Sequence, residues 1–284
     1  MPPPPRDRGE EHVMVQAGKW TIRRPDEIKS AGHVGRWAVV VGEGEGRRPG
    51  ARTRLRETLE GIGRVIPPER TLVVGLPGHA RDQASHVDEE GGPHVLDEPD
   101  DRGTGAAVLL AALWIEAREP RATVVFLPSD RVIGEEGVLM ARVTEMADFV
   151  ERQPGWMILL GVPPRGSDTE RGWIEPGQRV GWAGPSAVYG IRRFHDGPSV
   201  ADGQLASGCL WNTWVWAARP GVVLAAGREC APSLYERLVQ LPAFWAGQHE
   251  RWALHHAYAL APAVDFSRAI LETCSLPLAV LKAP

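Results

Sequence analysis

Residues 37–48, WAVVVGEGEGRR, run from an apolar strand into alternating glycine and glutamate and then into arginine. Glycine-rich turns after a strand hold phosphates through backbone N–H groups, so this stretch points to anion binding, which Glu43 and Glu45 oppose by charge. The better-known phosphate loops do not fit. A Walker loop needs Gly-Lys-Ser/Thr, and in the dinucleotide pattern G-x-G-x-x-G the third glycine would fall at Arg47 or Pro49. The competing reading is a plain strand-to-helix turn, with Arg47, Arg48, Arg52, Arg54 and Arg56 as a solvated helix face. A second chemical signal is FLPSD, which ends an apolar strand at Asp130. A carboxylate there is costly unless it meets a cation; a turn or helix N-cap aspartate is the alternative.

Other chemistries are excluded by spacing. HERWALHH (249–256) lacks the second histidine of H-E-x-x-H, because Ala253 stands there. No G-x-S-x-G is present, so a serine hydrolase has no foothold. A net charge of −4 argues against a nucleic-acid or anionic-membrane partner. An RNA- or anion-binding surface built from the 47–56 arginines is further disfavoured by the lack of aromatics there. Cys209, Cys230 and Cys274 are odd in number without C-x-x-C spacing, so the expectation is reduced cysteines, no disulfide framework and a cytoplasmic location. The N-terminus has no signal-peptide-like apolar run and no segment approaches 18 apolar residues, so neither export nor membrane spanning is expected.

The elements that must position these groups alternate along the chain. Strands are expected at 37–41, 71–75, 94–99, 122–130 and 156–162, and helices at 53–66, 103–117 and 135–151. The helix GTGAAVLLAALWIEA is apolar nearly all round and is therefore predicted to be buried. Continuously apolar strands in a β-α-β-α-β order imply an α/β fold: a Rossmann-like, mostly parallel sheet with helices on both faces. Beyond residue 163, GWIEPG, AVYGIRRF and LWNTWVWAA read as a small antiparallel extension over the same edge. Residues 1–34, rich in proline and charge, are expected to be a poorly ordered lead-in, and 35–284 one domain. Ligands of such sheets bind at the carboxyl ends of the strands, where 42–48, 98–104 and 128–130 fall.

The ordered series WAVVVGEGEGRR, PPERTLVV, DEPDDRGTGAA, VVFLPSD, LLGVPP, GWIEPG, RRFHDGP and LWNTWVW resembles the sugar-1-phosphate nucleotidyltransferases, most of all bacterial mannose-1-phosphate guanylyltransferases. The resemblance covers residues 37–282, and its EP-x-x-RGT, FPSD-like and LWN stretches are specific in combination. It implies a nucleotide-diphospho-sugar transferase fold that takes a nucleoside triphosphate, with GTP favoured, and a sugar 1-phosphate. It also implies Mg²⁺ as cofactor and is compatible with a homodimer. Gly44 and Gly46 would let the backbone approach the triphosphate, and Arg48 would be the catalytic arginine. Glu98, Arg102, Gly103 and Thr104 would lie near the base, Asp130 would hold the metal, and Gly172, Glu175 and Asn212 would lie near the sugar.

The sequence also departs from the family pattern. Glu43 stands where the family has a glycine, and a Pro-Lys pair after the arginine has no counterpart. Gly197 replaces the lysine of a Glu-Lys-Pro triplet, and a Gly-Trp-Ser-Asp segment is not found before Pro284. Lost lysines and a lost carboxylate imply guanylyl transfer at an impaired rate. The alternative is an inactive paralogue that binds a sugar nucleotide or a partner enzyme.

Overall fold

Short Val/Ile/Leu runs set the sheet, because β-branched side chains pack well on a pleated surface covered on both faces. The computed structural model describes residues 35–42, 51–75, 91–129, 136–164, 172–197 and 208–283. Nine strands are found among them: β1 (Arg36–Val41), β2 (Thr71–Gly75), β3 (His94–Asp97), β4 (Thr123–Pro128), β5 (Met157–Val162), β6 (Trp173–Ala183), β7 (Ser186–His195), β8 (Leu210–Ala218) and β9 (Leu278–Lys282). They form one sheet in the order β3-β2-β1-β4-β8-β5-β9-β7-β6. Pairing is parallel from β3 through β4 and between β5 and β9, whereas β8 runs antiparallel to both β4 and β5. The sheet is thus mostly parallel, as expected, but β8 is no extension over an edge. LWNTWVWAA is an internal strand, and of the three segments expected in the extension the long β6–β7 hairpin is the peripheral part.

Helix α1 (Ala51–Ile62) follows β1, α2 (Thr104–Glu116) joins β3 to β4, and α3 (Glu136–Arg152) joins β4 to β5. The first helix stops four residues earlier than its periodicity predicts, at a turn in which the Gly63 N–H still bonds the Leu59 carbonyl. After β8 come α4 (Pro220–Cys230), α5 (Pro232–Leu238) and α6 (Glu250–Leu260). Every residue of α2 from Gly105 to Ile115 is buried, because one side lies on the sheet and the other meets α4 and α5 in the main core cluster. Helix α3 covers the opposite face, where Met146, Phe149 and Val150 pack on Val125, Leu127 and Leu160.

The two edges of the parallel strands differ. At the amino-terminal edge the Glu119 carboxylate accepts hydrogen bonds from the Gly35 N–H, the Trp37 indole N–H and Arg70, so that edge is closed by a satisfied polar network. The carboxyl edge contains the topological switch. From β1 the chain builds outward to β2 and β3, then returns through α2 to β4 on the other side of β1.

The cysteine expectation needs correction. Cys230, at the end of α4, and Cys274 form a disulfide across 44 positions, while Cys209 is a buried cysteine outside it. Spacing along the chain cannot report a pairing created by tertiary proximity, here a Cα–Cα distance of 5.9 Å. No helix among the described residues is long and apolar enough to cross a membrane.

Candidate functional site

Four strand ends meet at the carboxyl edge beside the switch between β1 and β4. The Gly42 N–H bonds the Val74 carbonyl at 2.8 Å, and the Ser129 N–H bonds the Val41 carbonyl at 3.1 Å. The Glu98 N–H bonds the Gly75 carbonyl at 2.8 Å, which prolongs the β2–β3 ladder by one residue. In an open α/β sheet, a crevice at this position is where ligands bind. The stretch 43–50, with Gly44, Gly46 and Arg48, and residue Asp130 lie outside the described residues. Gly42 and Ser129 are the described residues that lead into them.

Glu98 is 5% exposed. Its carboxyl accepts a hydrogen bond from the Tyr258 hydroxyl at 2.9 Å. Burial disfavours the charged form and raises its pKa to about 8; the Tyr258 bond opposes the rise and the nearby Asp101 charge adds to it. Tyr258 is itself fully buried, and burial together with Glu98 holds its hydroxyl protonated well above the usual range. The turn that follows is bound to the same C-terminal region. Arg102 Nε donates to the Tyr258 carbonyl at 2.9 Å, while another guanidinium nitrogen pairs with Asp100. The Val264 N–H bonds the Arg102 carbonyl, and the Gly105 N–H bonds the Val264 carbonyl. The Phe266 N–H donates to the Thr104 hydroxyl, which lies 3.5 Å from an Asp265 carboxylate oxygen. Gly103 has φ +76°, and a Cβ added there would lie 2.5 Å from the Val264 carbonyl oxygen, so the position accepts only glycine.

The other expected residues gather a few strands away. The Asn212 N–H bonds the Gly172 carbonyl at 2.8 Å where β6 begins to pair with β8. The Asn212 side-chain oxygen accepts from the Trp214 N–H at 3.1 Å. That bond caps a register shift between β5 and β8, where Trp214 adopts φ +66°, a costly conformation for a bulky residue. Trp216, two residues on, is stacked between Phe126 and Phe266. Glu175 is paired with Arg192 across the hairpin, and that hydrogen bond holds its carboxylate below the usual range.

The structure therefore brings Glu98, Arg102, Gly103 and Thr104 together in one group and Gly172 and Asn212 in another, with Glu175 farther along β6. Residues 258–272 form a strap that spans the two groups. Asp265 reaches Thr104, and its other oxygen accepts the Arg268 N–H. Arg268 Nε donates to Asp196 at 3.2 Å, and an Asp196 oxygen lies 3.5 Å from where a Gly172 Cβ would stand. Asp196 is raised above the usual carboxylate range, first by burial and then by the Asp265 charge. Sequence reasoning missed this strap, residues 258–272. Only the tyrosine and the acidic-aromatic run VDFSR (264–268) signalled it, and neither matches a known motif. Of the 47–56 arginines, Arg56 is exposed and pairs with Glu60 one turn on. Among the described residues no three His, Cys, Asp or Glu side chains converge on a metal position.

A topological switch point backed by a buried carboxyl, with a second group of polar residues a few strands away, is where open α/β sheets bind ligands. No protein-family profile matches the chain. It is 32% identical over 143 residues to the xanthan biosynthesis protein XanB of Xanthomonas campestris pv. campestris (strain B100), covering 49% of this chain and 29% of that protein. It is 25% identical over 148 residues to the mannose-1-phosphate guanylyltransferase of Escherichia coli (strain K12), covering 50% of this chain and 30% of the relative. The chain thus matches about a third of the length of these curated relatives. A solved structure described as mannose-1-phosphate geranyltransferase from Thermus thermophilus superposes with a TM-score of 0.72 at 26% identity, covering 87% of this chain and 74% of that one. A mannose-6-phosphate isomerase structure from Helicobacter pylori, at 16% identity and a TM-score of 0.66, shares the fold. In sequence and fold the chain is thus similar to sugar-1-phosphate nucleotidyltransferases, among them mannose-1-phosphate guanylyltransferases.

Proposed function

We propose that the chain transfers a guanylyl group from GTP to mannose 1-phosphate, at an impaired rate. The observation that carries this reading is the meeting of Gly42, Gly75, Glu98 and Ser129 at the switch-point edge, in a chain of this family. In the reaction an oxygen of the sugar phosphate forms a bond to the α-phosphorus. The bond from that phosphorus to the oxygen bridging to the β-phosphate breaks, and pyrophosphate leaves with the electron pair. The attacking oxygen is already anionic, so no side-chain nucleophile is required. The protein's task is positioning and charge neutralisation.

In this reading Glu98 and residues 102–104 border the base, and Gly172, Glu175 and Asn212 border the sugar. Gly44, Gly46 and Arg48 address the triphosphate. Asp130 would hold Mg²⁺, which when bound neutralises phosphate charge. The impairment is inferred from Glu43 in the phosphate loop and from Gly197 where the family carries a lysine. A guanidinium clamps phosphate differently from a point-charge lysine, so the 47–56 arginines would restore only part of what is lost.

One observation favours the second reading, an inactive paralogue that binds a sugar nucleotide or a partner enzyme: the Arg102 side chain and the Thr104 hydroxyl are already engaged with the strap. Pyrophosphate release should be measured across nucleoside triphosphates and sugar 1-phosphates with Mg²⁺, beside thermal shift with GDP-mannose. Slow release specific to GTP and mannose 1-phosphate supports impaired transfer. Binding without release supports the paralogue, and release at roughly 1–10³ s⁻¹ removes the impairment. Absence of both binding and release sinks the nucleotide reading.

A further inference from the structure

Tyr258 occupies an unusual position between the two halves of the chain. It lies 160 positions from Glu98, yet its hydroxyl donates to the Glu98 carboxyl at 2.9 Å and its backbone carbonyl accepts from Arg102 Nε at 2.9 Å. It is fully buried, so its bond to Glu98 forms away from competing water, while the Arg102 bond is part-buried. Glu98 has no other hydrogen-bonding side chain described on its carboxyl, and the neighbouring Arg102 is directed to Asp100 and to Tyr258 itself. A single side chain of α6 thus orients one polar group at the end of β3, and its own backbone orients the next.

We propose that Tyr258 is a positioning residue for the nucleotide: it holds the Glu98 carboxyl and the Arg102 guanidinium in the geometry that recognises the base. The inference rests on the nucleotide reading given above. The Watson–Crick edge of guanine offers N–H donors, which an ionised carboxylate accepts and a protonated carboxyl accepts less well. Burial holds a proton on Glu98 up to about pH 8, and the Tyr258 hydroxyl is the group that favours its release. The charges facing Glu98 are Asp101 on its own turn and, beyond it, the Asp100–Arg102 pair; α6 contributes the Tyr258 hydroxyl, and the strap's Asp265 is held at Thr104 and the Arg268 N–H. Guanine-nucleotide affinity should therefore tighten as pH rises through about 8, and removing the hydroxyl should move that midpoint upward.

The test is a titration of the full chain with GDP-mannose from pH 6.5 to 9.5, for the unmodified protein, Tyr258→Phe, Glu98→Gln and the double variant. The expected result is about tenfold weaker binding by Tyr258→Phe at pH 7, since one hydrogen bond to a titrating group is lost, with the midpoint raised. In the Glu98→Gln background the same change should cost less than about twofold, because the carboxyl on which it acts is gone. A residue with a merely structural role would weaken binding equally in both backgrounds and leave the midpoint in place, and that result overturns the proposal. If Tyr258→Phe does not fold, the pH midpoint of the unmodified protein against a pH-independent Glu98→Gln still decides whether Glu98 is the titrating group; no difference between them overturns it. An unmodified chain that binds no guanine nucleotide overturns the underlying reading, and this proposal with it.

Discussion

The two ends of the candidate site are built on opposite principles. At the Glu98–Thr104 end the polar groups are buried or half-buried and bound to the strap by short hydrogen bonds, with a glycine at 103 that tolerates no side chain. At the Gly172–Asn212 end the backbone is equally well tied, but the side chains around it form half-exposed ion pairs: Asp196 with Arg268 and Glu175 with Arg192. Burial makes the first end rigid and sensitive to proton uptake. Solvent screening makes the second adjustable and energetically shallow. Under the proposed function, the rigid end would suit reading one base, and the shallow end would let a sugar phosphate enter and leave.

The largest effect expected from this contrast is on the pH dependence of stability. The folded Glu98 carboxyl titrates at about 8 against an ordinary 4.5, so the folded state holds a proton that the unfolded chain has lost. Its contribution is fully present below about pH 4.5 and disappears as pH rises through about 8. At about 1.4 kcal/mol per pKa unit, Glu98→Gln should gain about 3–5 kcal/mol relative to the unmodified chain between pH 4.5 and 9. Denaturant unfolding at both pH values checks this, and a constant difference contradicts a Glu98 carboxyl held protonated by burial.

Gly103→Ala should be nearly as costly. A positive φ and a Cβ placed 2.5 Å from the Val264 oxygen predict a loss of about 3–4 kcal/mol, read from the unfolding midpoint. A cost under about 1 kcal/mol would mean that the strap moves aside freely and the first end is not rigid. Reduction of Cys230–Cys274, which closes a 44-residue span just beyond the strap, should cost about 2–4 kcal/mol. The measurement is thermal unfolding with and without a dithiol, with Cys230→Ser as control. Equal stability in both states would show that the strap stands on its own hydrogen bonds. The smallest effect belongs to the second end. Arg268→Ala breaks a pair whose arginine is 70% exposed, so it should change stability by at most about 1 kcal/mol, less at high salt. A larger, salt-independent loss would erase the contrast between the two ends.

Much of the scaffold is legible in the chain. The expected bounds of β2 are the observed ones, and the apolar helix at 103–117 is found buried at Thr104–Glu116. Such elements have local causes, since periodicity and β-branching act over a few residues. The place of β8 escapes such a reading, because its antiparallel entry between β4 and β5 depends on partners far along the chain. An apolar run reads the same at an edge as in the middle of a sheet. The family motifs locate the Glu98–Thr104 and Gly172–Asn212 groups, but not that Arg102 and Thr104 bond to a strap 156–162 positions away. Nothing in the spacing of Tyr258, Val264, Asp265 and Arg268 announces a site, because each is defined by what it meets.

The sequence by itself determined the parallel half of the sheet, the buried helix and the family resemblance, since these rest on local pattern and ordered motifs. Tertiary structure alone decided three things: the central place of β8, the joining of Cys230 to Cys274, and the burial of Glu98 against Tyr258. The physical reason is common to all three. Strand order, disulfide pairing and the protonation of a buried carboxyl depend on which distant groups exclude water together, and no spacing along the chain encodes that.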